Sequence, residues 1–165
     1  MTQHYTISAF HKGSGLVSTA IKLATFGDVS HVENLCLLDG KSYSSTMQNG
    51  DGGCRGKRIK YSHPDRWVFV KMPVQHPVRM LHWQWGQVQK NKGYDYLGCA
   101  SMAWIRYRQN PDKWFCSEFC RRAYVIDGTL PTLRKSRPLN PSQFKKELLK
   151  NGGTIVEFDE RWLYP

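Results

Sequence analysis

The segment Trp114–Ala123 holds the most reactive arrangement in this sequence, because Cys116 stands where an extended stretch meets a helix. A thiol at a helix N-terminus faces unpaired backbone N–H groups and the positive end of the helix dipole, which favour thiolate over thiol. The same N–H groups, with that of Ser117 among them, can receive the oxyanion of a tetrahedral intermediate. Cys116 is therefore a candidate nucleophile.

A cysteine nucleophile needs a base that takes its proton and returns it to the leaving group. His31 is the best candidate, because it is a polar residue at the edge of the apolar run Ser30–Leu38. On residue types alone, a buried structural thiol and a hydrogen-bonded strand histidine explain Cys116 and His31 as well.

A third residue must hold the imidazole ring in the right tautomer. Glu33 shares a strand face with His31, because side chains alternate along a strand, and it is the only carboxylate in that strand. Neighbours on one strand face lie about 7 Å apart, so contact requires the two side chains to lean together. Ser45 and Thr46 are the alternatives, since the next strand lies closer to the ring. Otherwise Glu33 is a solvated carboxylate at a strand edge.

The elements that must position these residues follow from apolar periodicity and turn signals. We predict strands over His4–Phe10, Ser30–Leu38, Lys41–Met47, Arg66–Met72 and Thr154–Phe158, with a glycine-rich loop over Gln48–Gly56. We predict helices over Leu16–Phe26, Val78–Lys92, Tyr94–Arg108 and Ser117–Ile126, and a last helix that begins at Asn140-Pro141-Ser142. Helices and mainly antiparallel strands in separate blocks indicate an α+β fold, and the lack of a linker indicates one domain over residues 1–165.

Four short motifs occur in a fixed order between about Ile7 and Val125: Ser30-His-Val-Glu, Tyr43-Ser-Ser, Asp51-Gly-Gly-Cys-Arg and Cys116-Ser-Glu. Their order and spacing resemble the circularly permuted papain-like cysteine hydrolases of NlpC type, the YiiX/YebB-like group. In that group the histidine strand precedes the cysteine helix. The resemblance implies a permuted papain-like fold, a sheet packed against helices, with Cys116 as nucleophile and His31 as base.

The resemblance also bears on residues around this pair. The group often has an acidic residue on the strand after the histidine, and here Lys41–Thr46 has none, so the sequence departs from that pattern. Glu33 is the nearest carboxylate, and Ser45 and Thr46 remain the alternatives. Tyr94 lies in a Tyr-Asp segment like the one that precedes the cysteine helix, where it either adds a donor to the oxyanion hole, lines the cleft or simply packs. Trp114 either walls the cleft or packs. Cys120, one turn after Cys116, is expected to face the core.

The function that this resemblance implies is hydrolysis through a thioester intermediate. The expected substrate is an amide, such as one in a peptidoglycan stem peptide. An alternative keeps Cys116 and His31 but acts on lipid as an acyl-ester hydrolase or acyltransferase. A second alternative is a basic binding protein without catalysis.

The composition is compatible with several kinds of binding partner and does not identify one. The chain has 165 residues and a formal net charge of +11, which can attract an anionic polymer or a membrane surface. The basic residues are scattered, so a solvated basic surface explains them as well. No nucleic-acid-binding signature is present, so we predict a peptide or acyl substrate and no specific nucleic acid. The oligomeric state is not indicated.

The cysteines of this sequence match neither a disulfide framework nor a zinc site. Five cysteines at irregular spacing argue against a disulfide framework, and Cys116-x-x-x-Cys120 with Cys36 and His31 is a poor match to a zinc site. We predict no metal and no cofactor.

No basic region followed by an apolar stretch and no long apolar run appears, so we expect folding in the cytoplasm, with delivery outside the cell by a phage or secretion system left open.

Overall fold

The computed structural model describes residues 3–15, 18–19, 22–23, 27–47, 52–96, 110, 112–135, 137 and 139–165. Its strands are β1 (His4–His11), β2 (His31–Cys36), β3 (Lys41–Thr46), β4 (Gly53–Lys57), β5 (Trp67–Val74), β6 (Gly93–Tyr94), β7 (Lys113–Trp114) and β8 (Thr154–Val156). The α-helices within these residues are α1 (Pro77–Gln89), α2 (Cys116–Asp127) and α3 (Pro141–Lys150). Short 3-10 turns cover Pro64–Arg66, Pro131–Lys135 and Glu160–Leu163.

The strands form one mixed sheet in the order β7-β6-β4-β3-β2-β1-β5-β8. The pairs are antiparallel except β6 with β7, which run parallel. In the β1–β2 pair, His11 lies opposite His31 and Ala9 lies opposite Glu33. Helix α2 contacts β2, β3 and both other helices, so the predicted α+β class, with a mainly antiparallel sheet against helices, is confirmed.

Local sequence explains the best-predicted elements. The turn between β2 and β3 closes at Gly40, whose positive φ of 66° suits glycine, and Asp39 Oδ1 accepts the Lys41 N–H at 3.0 Å. Helix α3 begins with a capping box in which the Asn140 side chain and that of Gln143 each accept the other's backbone N–H. The hairpin and the last helix were both predicted from these residues.

The sheet buries apolar side chains on both faces. The larger core lies between the sheet and the helices, where Phe10, Val32, Tyr43, Phe119 and Leu148 are buried together. The smaller core covers the other face, and its buried members are Ile7, Ala9, Leu35, Tyr61, Phe69 and Leu163. Two cores fix the sheet from both sides, which gives the strand residues between them defined positions.

One predicted loop is wrong, and two predicted helices fall mostly outside the described residues. The predicted loop Gln48–Gly56 overlaps β4, because residues from Gly53 onward pair with β3. The predicted helix Tyr94–Arg108 starts within β6, where Tyr94 pairs with Trp114, and residues 97–109 are not described. In both places pairing between strands overrides the local pattern. The predicted helix Leu16–Phe26 lies mostly on residues that the structure does not describe.

Among the helices that the structure describes, none is both long enough and apolar enough to cross a lipid bilayer.

Candidate active site

Cys116 is the first residue of α2, and it is buried. The chain reaches it through Phe115, an N-cap with extended backbone (φ −103°, ψ 166°) and no side-chain cap. The Phe119 N–H donates to the Phe115 carbonyl at 3.0 Å. The N–H groups of the residues before Phe119 therefore have no acceptor inside the helix, and the thiol lies at the positive end of the helix dipole.

Hydrogen bonds to the sheet and to a neighbouring loop fix α2. The Ser117 hydroxyl donates to the Leu139 carbonyl at 2.6 Å, and the Asn34 side chain donates to the Cys120 carbonyl at 3.1 Å. Cys120 is fully buried, so the prediction that it faces the core is confirmed. The Ser117 hydroxyl is therefore used in a structural hydrogen bond, and the backbone N–H of Ser117 is the group that can donate to an oxyanion.

His31 opens β2 and is positioned by the turn before it. The Ser30 N–H donates to the His11 carbonyl at 2.9 Å, which begins the pairing with β1. The Val29 N–H donates to the Ser142 hydroxyl at 3.2 Å, so the start of α3 holds the same turn. Two elements, β1 and α3, thus fix the backbone that leads into His31.

The His31 ring contacts both expected partners. Its Nε2 lies 3.0 Å from Glu33 Oε1. The Cys116 side chain lies close enough to the ring to raise its pKa by hydrogen bonding and charge. Burial by itself lowers the pKa of His31, but the hydrogen bonds and charges of Cys116 and Glu33 outweigh it and raise the pKa to about 10. The ring therefore holds its second proton at neutral pH.

Glu33 is a buried carboxylate, only 1% exposed, rather than a solvated strand-edge group. Its Oε1 lies 3.0 Å from His31 Nε2 and 2.6 Å from Arg55 Nη2. Burial alone would raise the pKa of this carboxyl, but the hydrogen bonds and positive charges of His31 and Arg55 lower it. The side chains of His31 and Glu33 lean together, which closes the distance that strand geometry leaves between their backbones.

A cavity of about 630 Å³ opens beside these residues. Its volume lies within the range of about 300–1,000 Å³ that is usual for small-molecule sites. The walls include His11, His31, Glu33, Arg55, Trp67 and Tyr94. Because His31 both lines the cavity and contacts Cys116, a ligand in the cavity meets the cysteine–histidine pair at the imidazole ring.

The two aromatic candidates have different surroundings. Tyr94 is buried, lines the cavity and packs its ring 5.0 Å from that of Tyr96. Trp114 is half-buried and packs against the helix-side core, with its ring 5.6 Å from Trp83 and its indole N–H donating to Gln87. Tyr94 is thus positioned to line a cleft, whereas the contacts of Trp114 are those of a packing residue.

The two alternative orienting residues point in different directions. The Ser45 hydroxyl donates to the Trp114 carbonyl at 2.7 Å, and Ser45 lies opposite Cys54 in the β3–β4 pair. Thr46 lines the cavity together with His31. The contact at the imidazole Nε2 is made by Glu33, which is the residue that strand alternation favoured.

No family model, curated protein or solved structure matches this chain. The interpretation of the site therefore depends on its own geometry. Within the described residues, no three His, Cys, Asp or Glu side chains are grouped so that they could hold a metal ion. Cys36, Cys54, Cys116 and Cys120 are all free thiols.

Sequence reasoning missed two residues of this site, Arg55 and His11. The local pattern predicts a loop at Arg55, whereas β4 places Arg55 opposite Ser44, on the face of the sheet where Glu33 also lies. His11 packs its ring 4.6 Å from the Trp67 ring and lines the cavity. The alternation of β1 was the available signal, because it puts His11 on the face that its cross-strand partner His31 occupies.

Proposed function

We propose that this protein is a cysteine hydrolase of the permuted papain-like type, with Cys116 as nucleophile, His31 as base and Glu33 as the residue that orients His31. The observation that carries the proposal is the chain of contacts from the Cys116 thiol at a helix N-terminus, through the His31 ring, to the buried Glu33 carboxylate. A nucleophile, a base and an orienting group in hydrogen-bonding sequence are the geometry that thiol catalysis requires.

In this mechanism the proton of the Cys116 thiol lies on His31 in the resting thiolate–imidazolium pair, and the sulfur attacks the carbonyl carbon of the substrate. The carbonyl oxygen becomes an oxyanion that the N–H groups at the start of α2 stabilise. The protonated ring then donates its proton to the leaving amine, and a thioester remains on the sulfur. Water, deprotonated by His31, attacks the thioester, releases the acid and returns the thiol. Glu33 holds the ring and favours its charged form throughout.

An amide, such as one in a peptidoglycan stem peptide, is the substrate we propose. A basic surface suits the anionic polymers of a cell wall, and the net charge is +11. Hydrolysis of an amide also needs an acid for its poor leaving group, and a ring with a pKa of about 10 remains protonated at neutral pH.

The first test is selective alkylation of the free thiols by iodoacetamide at pH 7, mapped by peptide mass spectrometry. We expect Cys116 to react first. Burial raises the pKa of Cys54 to about 12 and that of Cys36 to about 11, and it raises the pKa of Cys120 well above its ordinary value. These three thiols stay protonated at pH 7 and react slowly, because the thiolate is the reactive form.

Two variants make the alkylation test specific. His31→Gln removes the positive charge beside the sulfur, and we expect it to slow alkylation of Cys116 by about tenfold or more. Cys54→Ala is the matched control and should leave that rate unchanged. Equal labelling of Cys54 and Cys116, or an unchanged rate in His31→Gln, would contradict the proposed pair.

The second test identifies the bond. The protein is incubated with muropeptides and, separately, with acyl esters, and a covalent acyl adduct on Cys116 is sought by mass spectrometry. The proposal expects an adduct and released amine from the muropeptides. An adduct from the esters alone would favour the lipid acyl chemistry. No turnover of either class, with no adduct, would leave a basic binding protein.

A further inference from the structure

The Glu33 carboxylate has a second partner besides the His31 ring. Arg55 Nη2 lies 2.6 Å from Glu33 Oε1, the same oxygen that lies 3.0 Å from His31 Nε2. The guanidinium is mostly buried, with 12% of its side chain exposed. Because one oxygen receives both contacts, the position of Arg55 fixes the position of the atom that meets the His31 ring.

A buried carboxylate needs a compensating charge, and His31 supplies one only while it is protonated. During the proposed reaction the ring gives up its proton to the leaving group, so Glu33 would then be buried beside a neutral imidazole. Arg55 stays charged at every step, because a guanidinium does not lose its proton in proteins. It is therefore the partner that keeps Glu33 charged through the whole cycle.

The other titratable groups that face Glu33 do not supply this charge. They are Tyr61, Cys120 and His11, which come from separate elements around the carboxylate. Burial raises the pKa of Tyr61 and of Cys120, and it lowers the pKa of His11, so all three are neutral near pH 7. The Tyr61 hydroxyl also pairs with the Ser42 hydroxyl at 2.7 Å. Among the described residues, Arg55 is the permanent cation on Glu33.

The fold holds Arg55 in this place through β4. Arg55 lies opposite Ser44 in the β3–β4 pair, so the sheet carries its side chain toward Glu33 on β2. The Ser44 hydroxyl donates to the Val32 carbonyl at 2.7 Å and so does not compete for the carboxylate. The arrangement depends on strand register rather than on a flexible surface side chain.

We propose that Arg55 is a positioning residue of this site, whose guanidinium keeps the Glu33 carboxylate charged and directed at the His31 ring. The inference rests on the proposed hydrolase function. Arg55 acts through Glu33 and His31, two residues away from the reacting sulfur, and touches no reacting atom in this scheme.

The direct test is a pH titration of the Glu33 carboxyl by carbon NMR, in protein labelled at the glutamate side-chain carboxyls. The chain has five glutamates, so the Glu33 signal can be assigned from its loss in Glu33→Gln. In Arg55→Gln we expect the Glu33 titration to move upward by about one pH unit or more, because a cation at this distance lowers a carboxyl pKa by about 1–3 units. Arg55→Lys keeps the charge and should recover most of the shift.

Kinetics separate positioning from substrate binding, since Arg55 also lines the cavity. We expect Arg55→Gln to lower kcat by about tenfold with little change in KM, and to move the acidic limb of the rate profile upward with the Glu33 titration. Arg55→Lys should restore much of kcat. Arg58→Gln is the matched control, because it removes one charge from a residue whose contacts are the Asp39 carbonyl and the Tyr164 ring.

Three results would overturn the inference. An unchanged Glu33 titration in Arg55→Gln makes Arg55 a structural residue only, whatever its activity. A rise in KM with kcat intact makes Arg55 a substrate contact. A wild-type protein that neither turns over nor labels at Cys116, while Glu33 still responds to Arg55→Gln, rejects the hydrolase and with it any positioning role. The NMR titration needs no activity, so this last failure is distinguishable from the first.

Discussion

Two opposing effects act on the pKa of His31. Burial favours its neutral form, whereas a hydrogen-bonded thiol on one side and a carboxylate on the other favour the charged form. The second effect wins, and the pKa rises to about 10. A ring that stays protonated at neutral pH suits an ion pair with a thiolate, in which the proton needed by the leaving group is already in place.

Glu33→Gln tests this balance at one residue. The amide keeps the size of the carboxylate and can still accept from His31, but it lacks the charge that favours imidazolium. We expect kcat to fall by about a hundredfold, within the usual range for disturbed acid–base catalysis. We also expect the pKa of His31 to fall below its wild-type value of about 10. Nitrogen NMR of the imidazole over a pH series measures that change directly.

Ser45→Ala and Thr46→Ala are the matched controls on the neighbouring strand. The Ser45 hydroxyl is bonded to the Trp114 carbonyl, so its removal should leave turnover within a few-fold of wild type. Thr46 lines the cavity, and its removal should change KM more than kcat. Full turnover in Glu33→Gln, together with loss in Thr46→Ala, would move the orienting role to β3.

At the scale of elements, β4 connects the site to the rest of the sheet. It carries Arg55 and is held between β3 and β6. Gly53, its first residue, has a φ of +151°, and a Cβ built there would lie 2.3 Å from the Lys92 carbonyl oxygen. The Cys54 N–H donates to the same carbonyl at 2.9 Å, so that oxygen cannot move away without losing a sheet hydrogen bond.

Gly53→Ala should therefore destabilise the protein by about 1–3 kcal/mol, the usual cost of a strained backbone position. Displacement of β4 would also carry Arg55 away from Glu33, so turnover should fall with stability. Gly86→Ala is the control, because Gly86 lies in α1 with open space around it and should gain about 0.5–1 kcal/mol. Chemical denaturation of both variants measures the difference, and equal stabilities would refute this account of β4.

Elements with a strong local signal could be predicted from the sequence. The hairpin at Asp39-Gly40 and the helix start at Asn140-Pro141 each have residues that satisfy backbone groups of their own turn. Strands β4 and β6 could not, because Gly53 and Gly93 carry no strand pattern and are held by pairing with each other. Pairing across 40 residues of chain is a tertiary effect that a local pattern does not contain.

The same distinction holds within the site. The pairing of Cys116 with His31 was expected from the resemblance, and Glu33 was expected from alternation along one strand. Arg55 was missed because its place beside Glu33 depends on the register of β4, a strand where the local sequence pattern predicts a loop. The sequence does contain one signal for such a partner. A carboxylate on a strand among apolar residues is expected to be buried, and a buried charge needs a cation nearby.

At the scale of the whole molecule, the site combines residues from both faces of the sheet. Cys116 belongs to the helix-side core, whereas alternation along β2 puts Glu33 on the same face as Leu35, which belongs to the other core. His31 opens β2, so its ring can reach the helix at the end of the strand while it keeps contact with Glu33. Packing on both faces thus holds Cys116 and His31 in place without a metal site or a disulfide among the described residues.

This coupling of His31 to the folded state predicts a pH dependence of global stability. The pKa is about 10 in the folded protein, against about 6.5 for an unperturbed histidine. A raised pKa contributes stability that is fully present below about pH 6.5 and is lost as the pH rises through 10, because the folded state holds a proton that the unfolded chain releases. The unfolding free energy of wild type should therefore exceed that of His31→Gln most at pH 6, and the excess should shrink steadily toward pH 10. Urea unfolding at pH 6, 8 and 10, followed by tryptophan fluorescence, measures it.

His11→Gln is the control for that series, because burial lowers the pKa of His11 and the neighbouring His31 lowers it further. A lowered histidine pKa costs stability only as the pH falls below about 6.5, so the difference between wild type and His11→Gln should stay flat from pH 8 to pH 10. The two histidines lie opposite each other in the β1–β2 pair and share one cavity, so they differ mainly in their charged partners. A flat profile for His31→Gln as well would mean that Cys116 and Glu33 do not hold a proton on His31, and it would remove the physical basis of the proposed ion pair.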